Sequence, residues 1–214
     1  MLPVIWGPAY TTGLTAFGAA GRWDYGVEFK NAGLSSRPDD WDPRNADWRR
    51  PTVSGRVGHR PGPAWNLGVS ASRGHYMTGD PDHTLLRGAQ LGDFHQITFA
   101  HDLSYAHRQL QISAEVFLAR FDVQQVGSVA TTAYYVETRY KLTPQLFTAF
   151  RWGQQFFGDV LEEPWDGRAA RGEVAFGYRF SRRVQGKFQY SVTSEKRPVA
   201  QGKQFAAVQM TLRF

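Results

Sequence analysis

Side chains able to do chemistry are few and scattered in this chain of 214 residues. Hydrolysis needs a nucleophile or a carboxylate pair with a histidine beside it. Asp80, Asp82 and His83 are the only local grouping of that kind, and nearness in sequence without an orienting partner does not make a catalytic constellation. Asp39, Asp40 and Asp42 in one segment, with Asp80 and Asp82 in another, offer the oxygen ligands a hard cation takes; solvated loop carboxylates are the simpler reading. His95, His101 and His107 are too widely spaced for a helical metal pair and are not read as one strand-face cluster. Solvated or interfacial positions suit them. There is no Cys, which removes disulfides and thiolate chemistry. The expectation is a protein that is not an enzyme, with no catalytic residue, no metal site and no cofactor.

What remains is charge and its spacing. A net charge of +6 and a pI near 9.7 would suit nucleic acid, an anionic membrane surface or an anion-attracting pore. The basic residues alternate with apolar ones instead of gathering in a patch, which argues against nucleic acid. The alternation has period two, the mark of a strand with unlike faces. Ala206, Val208, Met210, Leu212 and Phe214 alternate with Ala207, Gln209, Thr211 and Arg213; Val184, Phe188, Tyr190 and Val192 oppose Gln185, Lys187, Gln189 and Ser191. Val174, Phe176, Tyr178 and Phe180 oppose Arg171, Glu173 and Arg179, and Tyr134, Val136, Tyr140 and Leu142 oppose Glu137, Arg139 and Lys141. Leu110 to Leu118 repeats the pattern, as do weaker stretches at Trp23 to Lys30, Val53 to Gly58, Trp65 to Ser72, Ile97 to Tyr105 and Leu146 to Gly153. No stretch approaches the roughly 18 apolar residues of a membrane-spanning helix.

With a less regular segment at Tyr10 to Gly18, these make about eleven strands close to the length a tilted strand needs to cross a bilayer. Their connections alternate. Short ones fall at Ala19 to Arg22, Arg60 to Ala64, Ala106 to Arg108, Thr143 to Gln145 and Ser181 to Arg182. Long ones fall at Asn31 to Arg50, Arg73 to Gly92, Asp122 to Thr131, Phe157 to Ala169 and Ser194 to Lys203. Short periplasmic turns and long outer loops are the habit of bacterial outer-membrane barrels. The predicted fold is therefore all-β: a transmembrane antiparallel up-and-down barrel, residues 1–214 forming a single domain in the outer membrane of a Gram-negative bacterium.

Aromatic placement separates lipid from a soluble core. Trp23, Trp65, Tyr105, Tyr140, Phe180 and Phe214 lie on apolar faces beside short turns, and Tyr134, Trp152, Phe156 and Tyr190 lie toward the long loops. Two girdles of amphipathic rings fit two membrane interfaces. Slipping Tyr134 to Leu142 by one residue would push Glu137, Arg139 and Lys141 into hydrocarbon, where each cation costs about 2 to 4 kcal/mol at the midplane. In the favoured register Lys30, Arg56, Glu115, Glu137, Arg139, Lys141, Arg151, Arg171, Glu173, Arg179 and Lys187 point inward as pore-lining residues. This mixed wall with a positive excess predicts a channel for passive diffusion of small polar or anionic solutes.

The closing segment from Phe205 to Phe214, with the hairpin Val174 to Tyr190 before it, resembles the final strands of Gram-negative outer-membrane porins. The resemblance implies that Phe214 is an insertion signal read by the barrel-insertion machinery, with the lipid bilayer as the other partner. Met1 to Pro8 lacks a basic and apolar secretory leader. An odd strand count leaves the first strand starting outside, so this stretch is expected to be the C-terminal part of a larger barrel, completed by missing strands or by strands of another chain; the alternative is that residues 1–20 do not span and the remaining ten strands close alone. Two other function classes stay open at this point: a structural barrel that sleeves or docks a partner protein through loops bearing Trp41, Trp48 and Trp165, and an outer-membrane hydrolase using His83.

Overall fold

A computed structural model describes residues 13–31, 51–76, 88–89, 93–160, 163–164, 166–195 and 203–213. In chain order the strands are β1 (Gly13–Ala20), β2 (Trp23–Lys30), β3 (Thr52–His59), β4 (Trp65–His75), β5 (His95–His107), β6 (Leu110–Val123) and β7 (Gly127–Lys141). There follow β8 (Leu146–Phe157), the two-residue strands β9 (Asp159–Val160) and β10 (Glu163–Pro164), then β11 (Ala169–Arg179), β12 (Val184–Glu195) and β13 (Lys203–Leu212). Eleven of them form one sheet in sequence order, β9 and β10 standing apart as a small hairpin between β8 and β11. Every neighbouring pair is antiparallel. The sheet is open: neither the outer edge of β1 nor that of β13 has a strand partner among the described residues.

The alternation in sequence becomes two unlike faces. The exposed large hydrophobics, among them Val27, Val57, Val69, Phe99, Leu118, Phe150, Phe176 and Val208, fall in the registers that place them on one side of the sheet. The opposite side carries the buried polar groups Thr52, Ser54, Ser72, Gln96, Thr98, Thr131, Gln155 and Ser191. A water-soluble fold has the reverse arrangement. Leaving a Val- or Phe-sized side chain in water forfeits roughly 1.5–3 kcal/mol each, and an apolar face running across eleven strands far exceeds the patch a soluble monomer exposes. Hydrocarbon is the solvent that suits it. Strands of 11 to 15 residues such as β4, β6 and β7 reach about 25 to 35 Å of height at a tilt near 40°.

Polar groups on the apolar face are handled locally. Tyr134 donates its hydroxyl to Gln154 at 2.6 Å, and Tyr190 donates to Gln204 at 2.9 Å, so each tyrosine hydroxyl finds an acceptor on its own face of the sheet. His95, His101 and His107 depart from expectation, because all three share the apolar face of β5. Spaced by six residues, they stand about 20 Å apart in succession and cannot converge on a metal. Among the described residues no group of three potential metal ligands is found.

The turns follow from the residues available. Gly21, at φ 60, lets β1 and β2 join through two residues. Arg108, at φ 50, does the same work between β5 and β6 without glycine's freedom. The expected long connection at Asp122 to Thr131 is instead a tight hairpin. β6 runs on to Val123 and β7 starts at Gly127, because Gln125 and Gly127 adopt positive φ of 66 and 92 and reverse the chain in three residues. Length alternation therefore fails at one position while strand direction still alternates.

Candidate functional site

The eleven residues expected to line a pore all lie on the polar face, as their cross-strand partners require. Curvature gathers them. One concavity on this face reaches from Thr15 on β1 through Arg56 on β3 to Glu115 on β6, so the polar side is the inner one. Register then groups the charges into rows running across the strands. One row joins Asp24, Gly58, Gly68, Asp102, Glu115, Tyr135, Gly153 and Arg171 through successive Cα partners.

The glycines in that row are seats. Arg56 lies over them, its Nη1 donating to Asp24 at 2.7 Å and its Nε and Nη2 donating to Asp102 at 3.1 and 2.8 Å. A Cβ on Gly58 would overlap the Asp24 carboxylate, and one on Gly68 would overlap both Asp102 and the Arg56 guanidinium. Arg60 adds a weaker contact to Asp24 at 3.7 Å. Glu115 is the cross-strand partner of Asp102 on one side and of Tyr135 on the other. Arg151 stacks on the Tyr135 ring with 4.1 Å to its centroid, a cation–π contact that fixes its plane. It then reaches Glu137 at 3.9 Å and Glu173 at 4.0 Å. Glu173 is also bound by Arg171 at 2.7 Å and accepts a hydrogen bond from Gln189 at 3.1 Å. Lys30, nearly fully buried, faces Glu28 at 3.9 Å.

The row of Glu137, Arg151 and Glu173 divides the inner face. Toward the short turns of β7, β8, β11 and β12, the inward positions hold Arg139, Lys141, Arg179 and Lys187 and no carboxylate among the described residues. Toward β2 to β6 the carboxylates Asp24, Glu28, Asp102 and Glu115 accompany, among the described residues, the strand cations Lys30 and Arg56 with Arg60 just beyond β3. The wall thus has an acidic flank and a basic flank, an organisation that a charge count along the chain does not reveal.

Of the expected interface aromatics, Trp23, Trp65, Tyr105 and Tyr140 stand on the apolar face at the short-turn ends of their strands. Trp65 pairs with Tyr105 at 4.6 Å between centroids, and Trp23 packs on His59 at 4.2 Å. Phe180 lies just beyond β11, in the turn. Phe214, the triplet Asp39, Asp40 and Asp42, the group Asp80, Asp82 and His83, and Trp41, Trp48 and Trp165 lie outside the described residues. Sequence reading missed Tyr135, Gly58, Gly68 and Gly177 as parts of the inner wall. Tyr135 was masked by its lipid-facing neighbour Tyr134, although its parity with Glu137 and Arg139 placed it inside.

A meander of eleven strands with an apolar outside and an ion-paired inside has known counterparts. Aligned to a porin structure refined at 1.8 Å, the chain superposes over 94% of its own length and 61% of the other's, with a TM-score of 0.65 and 8% identity. The fold is that of the outer-membrane porins. An anion-selective porin from Comamonas acidovorans matches with a TM-score of 0.60 and 12% identity over 92% of this chain and 55% of that one. The outer-membrane channel DcaP of Acinetobacter baumannii matches with a TM-score of 0.64 and 10% identity over 96% and 62%. The porin-like sheet therefore spans about three fifths of the length of these porins. No family model matches the sequence, and no curated protein does either.

Proposed function

We propose that this chain builds the wall of a channel in the outer membrane of a Gram-negative bacterium, through which small polar solutes diffuse passively, anions more readily than cations. The observation that carries this reading is the inverted sheet: exposed Val, Phe and Trp outside, and an ion-paired ladder of Arg56, Arg151, Arg171, Glu137 and Glu173 inside. Charges lining a lumen tune which ions pass, and the excess of cations on β7 to β12 supports anion preference. Trp23, Trp65, Tyr105 and Tyr140 would rest at the short-turn interface of the bilayer. Phe214 would act as the signal read by the insertion machinery.

The open edges of β1 and β13 favour completion of the ring by further strands, from the same polypeptide or another chain. They also support a second reading, a barrel that sleeves or docks a partner protein along an unpaired edge. Planar-bilayer recording with a salt gradient separates the two. Discrete conductance steps whose reversal potential lies toward that of chloride are expected; silence from the correctly folded, complete assembly would overturn the channel and favour the sleeve.

A further inference from the structure

We propose that the cleft at the short-turn end of the inner face, between β7, β8 and β11, is a binding site for compact dianionic oxyanions of the phosphate type; the proposal deepens the anion preference above and rests on that reading. Arg139, Lys141 and Arg179 line this one concavity together with Gln145 and Gln185. None of the three cations has a carboxylate partner among the described residues, whereas Arg56, Arg151 and Arg171 on the same face are all paired. Three like charges gathered without a counter-ion repel one another, and a bound dianion relieves that repulsion.

The cleft is built to hold its arginine in place. Gly177 lies opposite Phe147 in the register, and a Cβ there would overlap the Phe147 ring; the missing side chain is the ring's seat. Arg139 in turn lies on that ring with its guanidinium carbon 4.0 Å from the centroid. Stacking orients the guanidinium plane, and the Arg139 Nε is buried without a hydrogen-bond acceptor. The guanidinium is thereby held in a cleft of like charges, where an anionic oxygen is the complementary partner. The rim adds a further donor. Thr143 Oγ1 accepts from the backbone N–H of Gln145 and of Leu146 at 3.2 and 2.9 Å, which leaves its hydroxyl proton available. Guanidinium, ammonium, amide and hydroxyl donors from several directions suit a tetrahedral oxyanion better than a planar carboxylate.

The test is equilibrium binding of inorganic phosphate and of pyrophosphate to the full chain folded in detergent micelles, followed by phosphorus NMR line broadening. Circular dichroism confirms the strand content of each variant. Saturable binding is expected for the unaltered protein, weakened about tenfold or more when R139Q, K141Q and R179Q are combined. Arg108→Gln removes one cation from another short turn and should leave binding unchanged. Gly177→Ala keeps every charge but displaces Phe147, and should weaken binding several-fold, which general electrostatic attraction would not produce. The site is overturned if the folded protein binds neither probe saturably, or if the triple variant binds them as tightly as the parent. Because no current is measured, a chain that binds phosphate yet fails to conduct loses the channel reading and keeps the site, and the converse result does the opposite.

Discussion

At the scale of single residues, Arg56 governs the acidic flank. It lies between Asp24 and Asp102, with Glu115 adjacent to Asp102 across the strands, so its removal leaves Asp102 without an ion-pair partner among the described residues and Asp24 with Arg60 at 3.7 Å. Arg56→Met is expected to destabilise the folded barrel by about 1 to 2 kcal/mol, below the value for a fully buried pair because all three partners are partly solvated. The midpoint of urea unfolding in lipid vesicles reads this loss, and removal of an inward cation should also move the reversal potential toward that of cations; an unchanged midpoint would refute the clamp. Gly68→Ala should reproduce much of the loss without touching a charge, since its Cβ has to displace Arg56 or Asp102. The alternation of Arg56 and of Asp102 with Val57 and Leu103 exposed their side of the sheet in the sequence. Their mutual contact was not legible, because it joins β3 to β5 across the glycine seat of β4, and cross-strand neighbours depend on register, which turns and bulges fix and composition does not.

At the scale of elements, the period-two pattern located ten of the sheet's eleven strands, the less regular Tyr10 to Gly18 segment overlapped the remaining one, β1, and the boundaries of β2 were read to the residue. Strand ends on the loop side were harder. β6 and β7 extend through Asp122 to Thr131 because Gln125 tolerates a left-handed conformation that its residue type does not advertise. Arg108 carries a similar burden at φ 50. A non-glycine residue in the left-handed region costs about 1 kcal/mol, so Arg108→Gly is expected to raise unfolding stability by roughly that amount; a lower urea midpoint would mean that the side chain contributes more than its backbone costs. The two faces of β6 give a sharper contrast. Val116 is exposed on the apolar side, whereas Ser113 points inward. Val116→Arg should destabilise the protein in bilayers by about 2 to 4 kcal/mol, with Ser113→Arg changing ion selectivity more than stability. Equal penalties at the two positions would contradict the assignment of faces.

At the scale of the whole molecule, directions decide how the ring can close. β1 and β13 are separated by nine intervening strands in a strictly antiparallel meander, so they run the same way. Pairing them directly would make a parallel ladder, unlike every other pair in the sheet. An antiparallel ring therefore calls for an odd number of additional strands between these edges, in keeping with the partial coverage of the porins it resembles. The absence of native cysteine makes this testable with introduced thiols alone. Thr15→Cys on β1 and Ala207→Cys on β13 both face inward in the register, and a disulfide forms only when their Cα atoms come within about 7 Å. Oxidation of the double variant in the membrane-inserted assembly should give no intramolecular bond if other strands stand between the two edges. A rapid, quantitative disulfide would show that the eleven strands close on themselves, and the lumen would then be narrow enough for its Arg and Glu side chains to fill, leaving a plugged barrel in place of a channel.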